Sequence, residues 1–87
     1  MRNVVFSPDA FEQYQYWQQT DKTALRKLNQ LLKECQRMPF EGTGKPEGLR
    51  GQLAGLWSRR ITQEHRLVYR VDDVNLFVVS CRYHYEK

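Results

Sequence analysis

The stretch LWSRRITQEHRLVYRVDDVNLFVVSCRYHY, residues 56–85, decides the fold. Apolar and polar residues alternate through it with period two, the pattern of half-buried strands. Two polar breaks, Gln63-Glu64 and Asp72-Asp73-Val74-Asn75, cut it into runs at 56–62, 65–71 and 76–85. Short breaks of this kind join antiparallel neighbours, so the three runs predict a meander. In the middle run Leu67, Tyr69 and Val71 share one side, and Arg66, Val68 and Arg70 the other. In the last run Phe77, Val79, Cys81, Tyr83 and Tyr85 form the expected apolar row, which sets Ser80, Arg82 and His84 opposite. A row that continues through two tyrosines predicts a final strand pinned to the rest of the fold, and with it His84. Arg59 and Arg60 must point to opposite faces; the pattern leaves open which one faces where.

Upstream, FEGTGKPEGLRGQLAG at 40–55 holds five glycines and a proline, too many breakers for a long regular element. Before it lie two helical patterns. Ser7-Pro8 is a cap followed by a proline at the first helical position, and the first helix is expected to run to about Gln19 with Phe11, Tyr14 and Trp17 on one side. Thr20-Asp21 restarts the chain into a second helix. Leu25, Leu28, Leu32 and Cys35 form its apolar stripe, Leu31 lies beside them, and Pro39 ends it. So short a joint predicts an antiparallel helical hairpin. RNVVFS at 2–7 reads as an opening strand. The order β-α-α-β-β-β predicts an α+β fold in one domain, 1–87. Helices cover one face of a small sheet, and the other face is free to form a cleft.

Composition narrows the function. Fourteen Lys and Arg against ten Asp and Glu give +4 (14 − 10), a weak pointer to polyanions. Residues 41–70 carry Lys45, Arg50, Arg59, Arg60, Arg66 and Arg70, and arginine grips phosphate in a planar fork. Cys35 and Cys81 stand far apart within apolar patterns and read as buried hydrophobes. His65 and His84 make no metal-ligand spacing, so neither metal nor cofactor is expected. The longest clean apolar run, LFVV, is far too short to span a membrane, and no signal peptide is evident; a cytoplasmic protein is expected.

If Arg66 and His84 project from the uncovered face, the glycine-rich loop can fold over them and bring Glu47. A carboxylate, a guanidinium and an imidazole are what RNA cleavage by internal attack requires. The 2′-hydroxyl must lose a proton, the phosphate must carry extra charge, and the departing 5′-oxygen must gain a proton. Each residue also has a plainer reading: Glu47 as a solvated turn carboxylate, Arg66 as a cross-strand charge partner, His84 as a surface histidine, Tyr83 and Tyr85 as core.

PFEGTGKPEGLRGQLAGLWSRRITQEHRLVYRV at 39–71, followed by CRYHY at 81–85, resembles the YoeB toxins of the RelE superfamily, and YWQQTDKTALRKLNQLLK at 16–33 fits as well. The similarity spans essentially the whole chain. The resemblance implies a RelE-like fold and a ribosome-dependent endoribonuclease that cleaves messenger RNA in the A site without a metal. It implies Glu47 as general base, Arg66 as charge stabiliser, His84 as general acid, and Tyr85 helping to close the site. Lys45, Arg50, Arg60 and Arg82 are the expected RNA-binding residues. The implied partners are a cognate antitoxin that masks the cleft, operator DNA bound by the toxin–antitoxin complex, and a second copy in a homodimer. The chain departs from the family pattern in two places: Glu86 and Lys87 follow the final aromatic, and Arg50 stands where a lysine is expected. The competing class is a non-catalytic basic module that only binds the antitoxin or DNA.

Overall fold

Two short polar side chains set both helices in the computed structural model, which describes residues 1–84. Ser7 Oγ accepts the Ala10 amide at 3.0 Å and caps α1 (Pro8–Thr20), with Pro8 in the first turn. Asp21 closes α1 through its own amide to the Trp17 carbonyl (3.1 Å) and opens α2 (Lys22–Arg37) by accepting the Thr23 and Ala24 amides. One residue thus serves both ends, and the helices fold back on each other. The Tyr14 hydroxyl donates to Asn29 Oδ1 at 2.7 Å across the hairpin.

Leu28, Leu31, Leu32 and Cys35 of α2 are buried as the stripe predicts, with Leu25 packed against them. Burying a leucine contributes about 1.5–3 kcal/mol, so this face is a main anchor. The buried row of α1 differs from expectation. Ala10 and Trp17 are inside and Tyr14 packs against them, while Phe11 is exposed at the margin, beside Phe6.

Among the described residues the sheet has five strands: β1 (Asn3–Phe6), β2 (Glu47–Gly48), β3 (Trp57–Arg60), β4 (Arg66–Val71) and β5 (Asn75–Ser80), in the order β1-β5-β4-β3-β2. The meander β3-β4-β5 is antiparallel, as the alternation predicts, and β1 runs parallel to β5. The sequence reading missed β2. It is only two residues long and lies in the glycine-rich loop, where it pairs antiparallel with the start of β3. The β3–β4 connection is also wider than a two-residue turn: Thr62 Oγ1 accepts the amides of Glu64 and His65, and the Ile61 amide donates to the His65 carbonyl. Asp72 organises the next turn by accepting the amides of Val74 and Asn75.

In β4 the faces are as expected, with Leu67 and Tyr69 fully buried against the helices. In β5 they are not. Leu76 and Val78 point into the core, whereas Phe77 lies under the Arg70 guanidinium on the opposite face and Val79 is 37% exposed. The cause is a register shift: Val68 faces Ser80 while Tyr69 faces Val78, so Val79 is an extra, bulged residue. The bulge resets the alternation and returns Cys81 to the core.

The final strand is also shorter than predicted. It ends at Ser80; Tyr83 takes φ +68° and is 56% exposed. The chain is pinned at Cys81 instead. The Cys81 amide donates to Gln13 Oε1 (2.7 Å), and its carbonyl accepts from Trp17 Nε1 (2.8 Å). Tyr85, Glu86 and Lys87 lie outside the described residues.

Candidate active site

A buried arginine shapes the loop that carries Glu47. Arg59, on the helix-facing side of β3, is 0% exposed. Its guanidinium donates to five acceptors: the Tyr69 hydroxyl, Glu34 Oε1, and the carbonyls of Thr43, Met38 and Glu41. Three of these are backbone atoms between residues 38 and 43, so the loop wraps around one planar cation. Glu34 Oε1 also accepts the Thr43 amide at 2.9 Å, and this bond holds the Glu34 carboxyl below the usual carboxylate range. Gly44 then docks on the strand: its carbonyl accepts the Arg60 amide at 2.7 Å, and its φ of +87° suits glycine. A Cβ there would meet the Arg60 carbonyl at 3.1 Å. Lys45, Pro46 and Glu47 follow, and β2 is laid against β3.

Register places the next residues. Glu47 pairs with Ser58, Ser58 with Val68, and Arg60 with Arg66. Directly paired residues share a face, as do residues two apart, so Glu47, Ser58, Arg60, Arg66 and Val68 all lie on the face away from the helices. Arg60 is thus the outward member of its pair, and Arg59 the inward one. Two strand spacings and a two-residue offset put the Glu47 and Arg66 backbones about 12 Å apart, within reach of two long side chains and a phosphate between them.

Arg66 is on the open face but is not exposed: only 7% of it is accessible. Its Nη1 donates to the carbonyls of Thr62, Gln63 and His65, which fixes the guanidinium against its own turn. Among the described residues it has no carboxylate partner; the ion pair found there is Arg59–Glu34 at 3.0 Å. A largely buried cation held by neutral carbonyls and faced by a second arginine favours an anion.

The tail meets this site through backbone. The Arg66 amide donates to the Tyr83 carbonyl at 3.0 Å, so His84 follows immediately from the entrance of β4. Lys45, with φ +53°, and Arg50 are exposed along the glycine-rich loop. Glu47, Leu49, Arg50, Gln52 and Leu53 line a concavity of about 860 Å³ beside β2. Arg82 is placed differently: its guanidinium stacks 3.5 Å from the Tyr16 ring centroid and 4.5 Å from that of Tyr83, against α1. Burial pushes the Cys81 thiol up to about 12, which leaves no thiolate for nucleophilic chemistry near neutrality. Among the described residues no group of three or more His, Cys, Asp or Glu is arranged to hold a metal, and no helix is long and apolar enough to cross a membrane.

Two residues near the site carry no functional assignment from sequence: His65 lacks metal-ligand spacing, and Trp17 belongs to the expected aromatic side of the first helix. The signal available for His65 was its position next to Arg66.

A strand, a helical hairpin and a mixed five-stranded sheet among the described residues define a RelE-like α+β fold. The model of the YoeB-like toxin of bacterial type II toxin–antitoxin systems matches residues 6–85, and the chain belongs to that family. Toxin YoeB of Escherichia coli (strain K12) is 54% identical over 82 residues, covering 94% of this chain and 98% of that one. The YoeB dimer from Staphylococcus aureus superposes with a TM-score of 0.90 at 54% identity, covering 97% of this chain and 98% of that chain. The YoeB–YefM complex from Staphylococcus aureus gives 0.89 at 52% identity, covering 98% and 99%.

Proposed function

We propose that this chain is a ribosome-dependent endoribonuclease that cleaves A-site messenger RNA in the bacterial cytoplasm. The Glu47 carboxylate takes the proton of a ribose 2′-hydroxyl, and the 2′-oxygen attacks the adjacent phosphorus. As the bond from phosphorus to the 5′-oxygen breaks, His84 delivers a proton to that oxygen. The products are a 2′,3′-cyclic phosphate and a 5′-hydroxyl. Arg66 carries the charge that builds on the phosphate. Acid and base each contribute about 10²–10⁴-fold, and one oriented charge donor about 10²–10³-fold. Tyr85, outside the described residues, closes the site in this reading. Arg60, Lys45 and Arg50 hold flanking phosphates, and Arg82 supports them from its stack on Tyr16.

The observation that carries this reading is Arg66. A buried guanidinium with neutral carbonyl partners, opposed by Arg60, is an unfavourable arrangement for a purely structural residue and a suitable one for binding a phosphodiester. Relatives solved as a YoeB dimer and with YefM support a homodimer and a YefM-like antitoxin as partners. Operator DNA bound by that complex rests on the family resemblance alone.

The test is cleavage mapping on translating ribosomes, with end-group determination. The wild type should leave a cyclic phosphate, and Glu47→Gln or His84→Gln should abolish cleavage with stability changed by only about 0.5 kcal/mol. Wild-type cutting by both variants would refute the assigned roles. A wild type inert on translating ribosomes would favour the non-catalytic binding module.

A further inference from the structure

Between Cys81 and His84 the chain belongs to no strand, so its backbone groups need partners outside the ladder. Four bonds serve those of Cys81 and Tyr83. Cys81 is held by the Gln13 and Trp17 side chains of α1. Tyr83 is held at the β4 entrance: its carbonyl accepts from the Arg66 amide, and its amide donates to His65 Nδ1 at 2.8 Å. The last bond is the one made by a side chain next to the catalytic arginine. It also acts at the least comfortable point of the tail. An aromatic residue at φ +68° is uncommon and persists only where its surroundings impose it.

We propose that His65 is a positioning residue, whose Nδ1 fixes the left-handed turn at Tyr83 and so sets where His84 stands beside Arg66. This rests on the reading of His84 as the general acid. An imidazole that accepts at Nδ1 carries its proton on Nε2. The ring plane is set by Trp17, which packs edge-on against it with centroids 4.8 Å apart at 80°. Trp17 therefore holds the tail twice, directly at the Cys81 carbonyl and indirectly at Tyr83 through His65. The short route from a rigid helix to His84 passes through these two rings. A catalytic group must be held to about 0.5 Å, and tail residues lack that order unless tied down.

Two substitutions separate hydrogen bonding from packing. His65→Phe keeps a ring against Trp17 but removes the acceptor. His65→Asn gives up the ring and retains an acceptor oxygen near the place of Nδ1. Cleavage on translating ribosomes would be measured for both beside the wild type, together with amide exchange at Tyr83 by NMR in the isolated proteins. The Phe variant is expected to lose about 10²-fold in kcat with KM unchanged, the scale of a 1 Å misplacement. Its Tyr83 amide should lose protection while core amides keep theirs. The Asn variant should recover most of both. A Phe variant that cuts like an active wild type, or that keeps Tyr83 protected, overturns the proposal. So does an Asn variant as impaired as Phe. Should the wild type itself not cleave, the nuclease reading fails, and the exchange data still decide whether His65 holds the tail.

Discussion

Arg60 and Arg66 stand directly opposite each other on β3 and β4, two like charges on the open face of the sheet. Such a pair is destabilising, and a bound phosphate would relieve it. Arg60→Gln should therefore raise stability slightly, by no more than about 0.5 kcal/mol. The same change should weaken binding of single-stranded RNA and flatten the slope of log K against log salt by about 0.7, the value for one lost phosphate contact. Titrations at several salt concentrations read this directly. A slope equal to that of the wild type would remove Arg60 from the interface.

Arg59 is expected to matter for architecture and to touch no substrate. Its planar fork satisfies three loop carbonyls, Glu34 and Tyr69 together. Lysine keeps the charge but cannot span those positions. Arg59→Lys should cost about 3 kcal/mol, since several buried acceptors lose their donor. Urea unfolding measures this, and a loss under about 0.5 kcal/mol would refute the staple. Because the loop leads into Glu47, cleavage by the folded variant should fall as well.

Acid sensitivity follows from Glu34. The Thr43 amide, first among its partners, lowers the carboxyl's pKa, with Gln30 and Arg59 adding to the effect. A depressed carboxylate stabilises the fold above its unfolded pKa, and the contribution is lost as pH falls through the folded one. Stability should thus decline from the usual carboxylate range downward. Glu34→Gln should be less stable near neutrality and show a shallower decline in acid. Chemical denaturation from pH 7 to about pH 3 tests the sign. Parallel curves for the two proteins would mean that Glu34 contributes nothing to the acid limb.

What could be read from sequence divides along physical lines. Caps, the leucine stripe of α2 and the Leu67–Tyr69 alternation are local patterns, and each reappears in the structure. Phe77 and Val79 misled because a bulge changes the parity of one strand without leaving a compositional mark, and a valine at the bulge looks like any strand valine. Strand β2 was hidden because its two residues are held by pairing with Ser58 and Trp57, and the loop before them is shaped by Arg59, a buried arginine that runs against the usual preference for the surface. For the site, Glu47, Arg66 and His84 were chosen from resemblance and residue chemistry. The cross-strand meeting of Arg66 with Arg60 depended on register, and the His65–Tyr83 bond on a turn that alternation could not foresee.

Arg66 offers the sharpest chemical test, since geometry and charge can be separated there. Its Nη1 is committed to the carbonyls of Thr62, Gln63 and His65, which leaves the rest of the fork to meet a phosphate oxygen. A lysine ammonium could satisfy the carbonyls or the phosphate, but not both from one position. Arg66→Lys should therefore fold with a modest loss, about 1 kcal/mol, and retain most ribosome affinity, because the net charge is unchanged. Its single-turnover cleavage should fall about 10²–10³-fold, as when one oriented donor is removed from an oxyanion site. Full activity in the Lys variant would mean that positive charge alone suffices and that the carbonyl-held orientation has no catalytic consequence. A loss expressed only in KM would make Arg66 a binding residue, with no differential hold on the transition state.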